Sequence, residues 1–313
     1  MEIGIIGLGK MGSNIALQAV EKGLRVIGID RQKKQELALK GVEAAADIAV
    51  IKTLKAPRII FLWIPAGPGV DLLMNTLVPI LNKGDILIDG GNSHFRDSQA
   101  RHKYLKSKGI EFIDCGTSGG IEGARNGACF MVGGELEVVM TAEPIFKKLA
   151  VPGGYIHAGR PGAGHFVKLI HNAIEFGMLQ AIGEGLAILK KSEFILDLPD
   201  ILHTWTHGSV IRGWLIELME NGLRNSKKIE EISSYVEDTG EVNWVLEEAL
   251  KLEVPIPIIA QSIMELFKSR DEEKVSARAI AIMRHGFGSH PFGKDEAIAK
   301  ERKTGKAGLN NKF

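Results

Sequence analysis

Apolar runs five to seven residues long recur through the first half of the chain, each followed by a stretch whose apolar positions return every three or four residues. The runs are EIGII at 2–6, RVIGI at 25–29, RIIFLWI at 58–64, DILID at 85–89, IEFID at 110–114 and ACFMVGG at 128–134, with a further strand expected at 154–157. Such alternation predicts a mostly parallel sheet covered by helices. After Pro161 the strand signal disappears. A helical pattern then runs unbroken from about 164 to 191, which at about 1.5 Å per residue predicts a helix about 40 Å long. Further helices are expected near 197–206, 210–222, 242–251, 255–269 and 274–285. The pattern divides the chain into an α/β N-terminal domain at 1–161, an all-α C-terminal domain at 162–290, and an extended tail at 291–313, where Gly, Lys and Asn accumulate.

Inside the long helix, Lys168, His171, Asn172 and Glu175 stand at i, i+3, i+4 and i+7, within an arc of roughly 100°. Phe166, Val167, Leu169, Ile170, Ile174 and Phe176 crowd both sides, so the helix is expected to be buried. An amine, an imidazole, an amide and a carboxylate then share one flank of it. A solvated face laced by helical ion pairs is the ordinary account of such a stripe. Three Gly-rich segments upstream argue for a site instead.

The first is Gly7-Leu8-Gly9-Lys10-Met11-Gly12, placed between the strand at 2–6 and a helix starting near Met11. Gly7 permits a tight turn, Gly9 lets a pyrophosphate approach the backbone, and Gly12 lets helix and strand pack closely. In that position the motif predicts a Rossmann-type domain that binds a dinucleotide. Asp30 ends the second strand, where a carboxylate accepts ribose hydroxyls of NAD and repels the extra phosphate of NADP. Arg31 beside it suits a phosphate, so NAD is favoured and NADP stays possible. Ile64, closing the run at 58–64, is placed with the cofactor residues. The other two segments, Asp89-Gly90-Gly91-Asn92-Ser93 and Asp114-Cys115-Gly116-Thr117-Ser118-Gly119-Gly120, read as turns at strand C-terminal ends, offering N–H groups and small polar side chains to a carboxylate or hydroxyls.

Composition narrows the classes. The chain has 313 residues, 45% hydrophobic and 25% charged, which suits a globular protein, and its net charge of +1 gives no reason to expect nucleic acid or an anionic membrane as partner. No apolar stretch approaches the roughly 20 residues that span a bilayer, and the first strand leaves no room for a signal peptide, so a cytoplasmic protein is expected. Cys115 and Cys129 lack CxxC spacing and are expected to be small core residues. His203 and His207 lie four apart without a third ligand, and no metal is expected. Trp205, Trp214 and Trp244 are expected in the helical core or a subunit interface. The basic stretch from Lys300 to Lys312 is expected to be solvated.

GLGKMGSNIA, DGGNSHFRDSQ, DCGTSGGIEGARNGACFMVGG, GAGHFVKLIHNAIEFG and RHGFGSH together resemble the β-hydroxyacid dehydrogenases, and within them the short, decarboxylating 6-phosphogluconate dehydrogenases. The resemblance covers nearly the whole chain. It implies a substrate site of Asn92, Ser118, Gly119, Gly120, Lys168, His171, Asn172 and Glu175. Asn92 would lie between sugar and nicotinamide. It also implies that Arg284 and His290, in a tail reaching from a partner subunit, help bind the distal phosphate, in a homodimer or homotetramer.

Residue types fit the implied chemistry. A neutral Lys168 takes the hydroxyl proton as hydride leaves, and once protonated it polarises the ketone of the β-keto acid that loses carbon dioxide. Glu175 then protonates the enediol carbon, with His171 and Asn172 orienting the sugar. Three departures concentrate on the far end of the substrate. Phe176 stands where the family carries Tyr, Leu266 where it carries Arg, and Glu241, Val242 and Asn243 precede Trp244 where it carries Lys. Charge-assisted contacts are worth about 1.5–3 kcal/mol each, so an unphosphorylated or otherwise substituted sugar acid remains the alternative substrate. A non-catalytic nucleotide-binding protein is a third reading, disfavoured by the presence of both Lys168 and Glu175.

Overall fold

The structure is a computed structural model describing residues 1–32, 35–225, 229–296 and 299. Most of the tail expected at 291–313, the stretch from Lys300 to Lys312 included, lies outside the described residues. Among the described residues there are eight strands: β1 (Glu2–Ile6), β2 (Arg25–Ile29), β3 (Glu43–Ala45), β4 (Ile59–Leu62), β5 (Ile86–Asp89), β6 (Glu111–Ser118), β7 (Ala128–Gly133) and β8 (Ala150–Gly159). The helices are α1 (Lys10–Glu21), α2 (Gln35–Ala38), α3 (Pro68–Leu77), α4 (Phe95–Ser107), α5 (Gly120–Asn126), α6 (Leu136–Leu149), α7 (Ala163–Lys191), α8 (Leu198–Thr206), α9 (Trp214–Asn225), α10 (Asn243–Leu252), α11 (Pro257–Arg270) and α12 (Val275–Gly288). The described chain divides into two compact units, one of residues 1–232 and 237–263, the other of 233–236 and 264 onward.

In the first unit the strands form one sheet in the order β3-β2-β1-β4-β5-β6-β7-β8. Every pair is parallel except β6 with β7. Continuous apolar runs are what a sheet covered on both faces requires. Along β1, β4 and β5, Ile5, Phe61 and Ile88 enter one core cluster, while their neighbours Ile6, Leu62 and Leu87 enter the cluster on the opposite face. Beyond the sheet, Leu169 and Ala173 of α7 pack with Phe95 of α4 and Val245 of α10. Further along α7, Leu186 packs with Leu202 and Ile216, against which Trp205 rests. In the second unit, the Val236 N–H donates to Ser269 Oγ at 3.2 Å, and Leu266 of α11 is buried.

Several expectations need correction. β3 carries no apolar run, and its place is set by pairing Glu43, Ala44 and Ala45 against β2. β6 does not turn at Gly116; antiparallel pairing with β7 carries it through Ser118. Cys115 is buried, but Cys129 points outward from β7, as strand alternation between Ala128 and Phe130 dictates. The helix at 163–191 is not buried as a whole, because Ile174 is 52% exposed and Val167 and Met178 are also open. Among the described residues no helix is long and apolar enough to cross a membrane.

Candidate active site

β1 delivers the chain to Gly7, whose φ of +94° is left-handed; a side chain there would collide with the Trp63 carbonyl. A methyl group on Gly12 would strike the Gly7 carbonyl, so helix α1 and the turn share space only glycine leaves free. Gly9, the N-cap of α1, has nothing within 4 Å of where a Cβ would stand. Open space over unpaired helix N–H groups is what an approaching pyrophosphate needs, so these residues fit a dinucleotide. Asp30 follows β2 and accepts the Leu8 N–H at 2.8 Å, which sets its carboxylate beside the loop, while Arg31 is exposed.

β5 ends in Asp89, a wholly buried carboxylate that accepts from the Gly91 N–H at 3.1 Å, Ser93 Oγ at 2.8 Å and Arg101 Nη1 at 3.1 Å. Arg101 is itself buried and also pairs with Asp71 at 2.7 Å. Buried charges persist only when paired in this way. The network folds the loop over Trp63, whose ring would meet a side chain on Gly90 at 2.9 Å, and holds Asn92 at the rim.

Midway along β6 stands a second buried carboxylate, Asp114. It accepts the Gly162 N–H at 2.6 Å and the His165 N–H at 2.8 Å. Gly162 is the N-cap of α7 and has no side chain to cap with, so Asp114 supplies the cap from the sheet. Gly164 lies so close to β6 and β7 that a side chain would stand 2.5 Å from the Met131 carbonyl, and one on Gly116 would collide with Lys168 Cβ. Glycine at these positions lets α7 lie directly on the sheet and sets Lys168 against Gly116 of β6.

The stripe on α7 meets the loops in a hydrogen-bonded chain. Ser118 Oγ lies 3.0 Å from His171 Nε2; His171 Nδ1 lies 3.3 Å from both Lys168 Nζ and Asn172 Oδ1. Asn172 donates to Asn92 Oδ1 at 3.5 Å, and Asn92 donates to Glu241. Glu175 Oε2 is 3.8 Å from His171 Nδ1. Burial holds the Lys168 amine below the ordinary lysine value, opposed by the charges of Glu175, Cys129 and Glu241. His171 is likewise lowered, first by burial and then by Lys168. An amine biased toward its neutral form, beside an imidazole, is equipped to take up and return a proton.

These groups open into a cavity of about 1930 Å³ in the first unit. Its lining includes Gly9, Lys10, Met11 and Ile64 from the nucleotide side, Asn92, Ser118, Gly119 and Gly120 from the two loops, and Lys168, His171, Asn172, Glu175 and Phe176 from α7. Arg284 and His290 belong to the second unit, where Arg284 Nη2 stands 3.5 Å from His290 Nδ1. His203 pairs with Glu220 at 3.0 Å, and among the described residues no group of His, Cys, Asp and Glu is arranged to hold a metal. Sequence reasoning missed Trp63, Asp114 and Glu241. A Trp ending a core strand, an Asp closing an apolar run and an acidic residue before Trp244 were their only signals.

Residues 2–159 match the profile of the NAD binding domain of 6-phosphogluconate dehydrogenase, and residues 164–304 that of the 6-phosphogluconate dehydrogenase C-terminal domain. A Bacillus subtilis (strain 168) protein provisionally named 6-phosphogluconate dehydrogenase YqeC is 42% identical over 93% of this chain and 98% of its own length. The NAD(+)-dependent, decarboxylating 6-phosphogluconate dehydrogenase of Haloferax volcanii is 37% identical, again over 93% and 98%. The solved Plasmodium falciparum 6-phosphogluconate dehydrogenase superposes with a TM-score of 0.81 at 29% identity, covering 94% of this chain and 66% of that one. Glycine loop, capped helix and Lys168 stripe thus stand within a chain matched along nearly its whole length, and the protein belongs to the 6-phosphogluconate dehydrogenase family.

Proposed function

We propose that the chain catalyses the NAD-dependent oxidative decarboxylation of 6-phosphogluconate to ribulose 5-phosphate and carbon dioxide. The observation that carries this reading is Lys168, a partly buried amine whose pKa burial lowers from the usual lysine value, within the cavity that the nucleotide loop also lines. Gly7 to Gly12 and Asp30 would hold the dinucleotide, with Ile64 and Asn92 at its nicotinamide side. Bound there, NAD accepts the hydride.

Lys168 Nζ takes the proton from the substrate hydroxyl as that carbon is oxidised. The ammonium so formed then donates toward the ketone oxygen, drawing in the electron pair released as the carboxylate leaves. Glu175, two helical turns along, delivers a proton to the carbon left behind. Ser118, Gly119 and Gly120 bind the carboxylate end, and His171 and Asn172 the hydroxyls. The exposed apolar side chains Val210 and Ile211 in the first unit, and Ile280, Ile282 and Phe287 in the second, support assembly into a homodimer or homotetramer in which Arg284 and His290 serve a neighbouring site. Light scattering should return a multiple of the chain mass, and a monomer would contradict this.

Phe176 favours a second reading. It lines the cavity where the family carries Tyr and has no hydroxyl to donate to a phosphate. Steady-state assays with 6-phosphogluconate and gluconate, each with NAD and NADP, separate the two. The main reading expects the highest kcat/KM for 6-phosphogluconate with NAD; a preference for gluconate establishes the second reading, and turnover of neither acid rejects both.

A further inference from the structure

Glu241 reaches the cavity from the turn before α10, and no step above uses it. The Asp238 carboxylate accepts the Gly240 N–H at 2.6 Å, and Gly240 takes a left-handed φ of +82°, which brings the next residue to bear on Asn92. One Glu241 oxygen accepts from the Asn92 amide, and the other accepts from the Thr239 hydroxyl. The junction is clamped nearby. Trp244 sets its edge against His94 with ring centres 4.7 Å apart, and Arg96 pairs with Glu248 at 2.7 Å.

An ionised carboxylate only accepts hydrogen bonds, so it claims the NH2 end of the Asn92 amide. The amide oxygen is thereby turned to the other side, where Asn172 Nδ2 donates to it at 3.5 Å. Without that carboxylate the amide has two orientations of similar energy, and only one presents its oxygen toward Asn172. We propose that Glu241 is a positioning residue of the dehydrogenase site, fixing which end of the Asn92 amide faces substrate and nicotinamide. The inference rests on the reading that Asn92 touches both.

A double-mutant cycle isolates this role. Glu241→Ala should lower kcat/KM for 6-phosphogluconate about tenfold, as loss of one charge-assisted hydrogen bond predicts. In an Asn92→Ala background the same change should have little further effect. Glu241→Gln, whose amide can turn either its oxygen or its NH2 toward Asn92, should recover only part of that loss. It also removes one carboxylate facing Lys168, whose other titratable neighbours are the Glu175 carboxylate and the His171 imidazole on α7 and the Cys129 thiol on β7. The acidic limb of its kcat/KM profile should therefore move to lower pH, which reads the Glu241 charge at Lys168, while the cycle with Asn92→Ala reads whether Glu241 acts through Asn92. NADH titration by fluorescence reads the same cycle without turnover. Equal losses from Glu241→Ala with and without Asn92, in both rate and NADH affinity, would overturn the proposal. A wild type that binds NADH but leaves 6-phosphogluconate untouched would reject the functional reading alone, and the NADH cycle would still decide the role of Glu241.

Discussion

Replacing Lys168 by alanine is expected to lower kcat for 6-phosphogluconate by about a hundred- to ten-thousandfold, the range that loss of a general acid–base group produces. NADH affinity should stay near the wild-type value, because the nucleotide loop is built from β1, α1 and β2, with Trp63 packed beneath its glycines, and does not use this amine. The pH profile carries a second signature. Lys168 must be neutral to accept a proton, and burial places its pKa below the usual 10.5. kcat/KM should therefore rise with pH through a limb lying below that value. In the alanine variant the limb should vanish. Unchanged kcat with an unchanged limb would show that the proton leaves by another group.

The second large effect is expected at a residue that touches no ligand. Asp114→Ala leaves the Gly162 and His165 N–H groups without their acceptor at the buried start of α7. An unsatisfied buried donor costs about 1–3 kcal/mol and a lost N-cap about 1, so a loss of about 3 kcal/mol and a Tm lower by about 5–10 °C follow. Because this cap sets where α7 starts against β6, kcat should fall as well, although Lys168 itself is intact. Calorimetry and steady-state kinetics on one preparation check both. A variant melting with the wild type would mean that water or a shifted backbone replaces the cap.

Sequence periodicity located α7 almost to the residue, since no proline interrupts 164–191 and its polar stripe holds the helical interval. The strands with apolar runs were legible for the same reason. β3 was not, since Glu43-Ala44-Ala45 is a strand only because β2 offers it an edge. Thr117 and Ser118 read as a turn because Gly116 and Gly119 flank them; pairing with Phe130 and Cys129 keeps them extended. Contacts far apart in sequence explain what was missed in the site. Asp114 caps a helix whose N-cap residue lies 48 residues later, and Glu241 meets Asn92 across 149 residues. Neither separation leaves a local signature. The exposed flank of α7 was misjudged because apolar residues look alike whether they face a core or another molecule.

The central claim is that one site oxidises the sugar acid and then releases its carboxylate. 6-Phosphogluconate labelled with carbon-13 in the carboxylate, incubated with the protein and NAD, tests it directly by NMR alongside NADH absorbance. The account predicts labelled carbon dioxide and NADH in equal amounts, with ribulose 5-phosphate as the only sugar product. NADH formed while the label stays on the sugar acid, or no NADH at all, would contradict it.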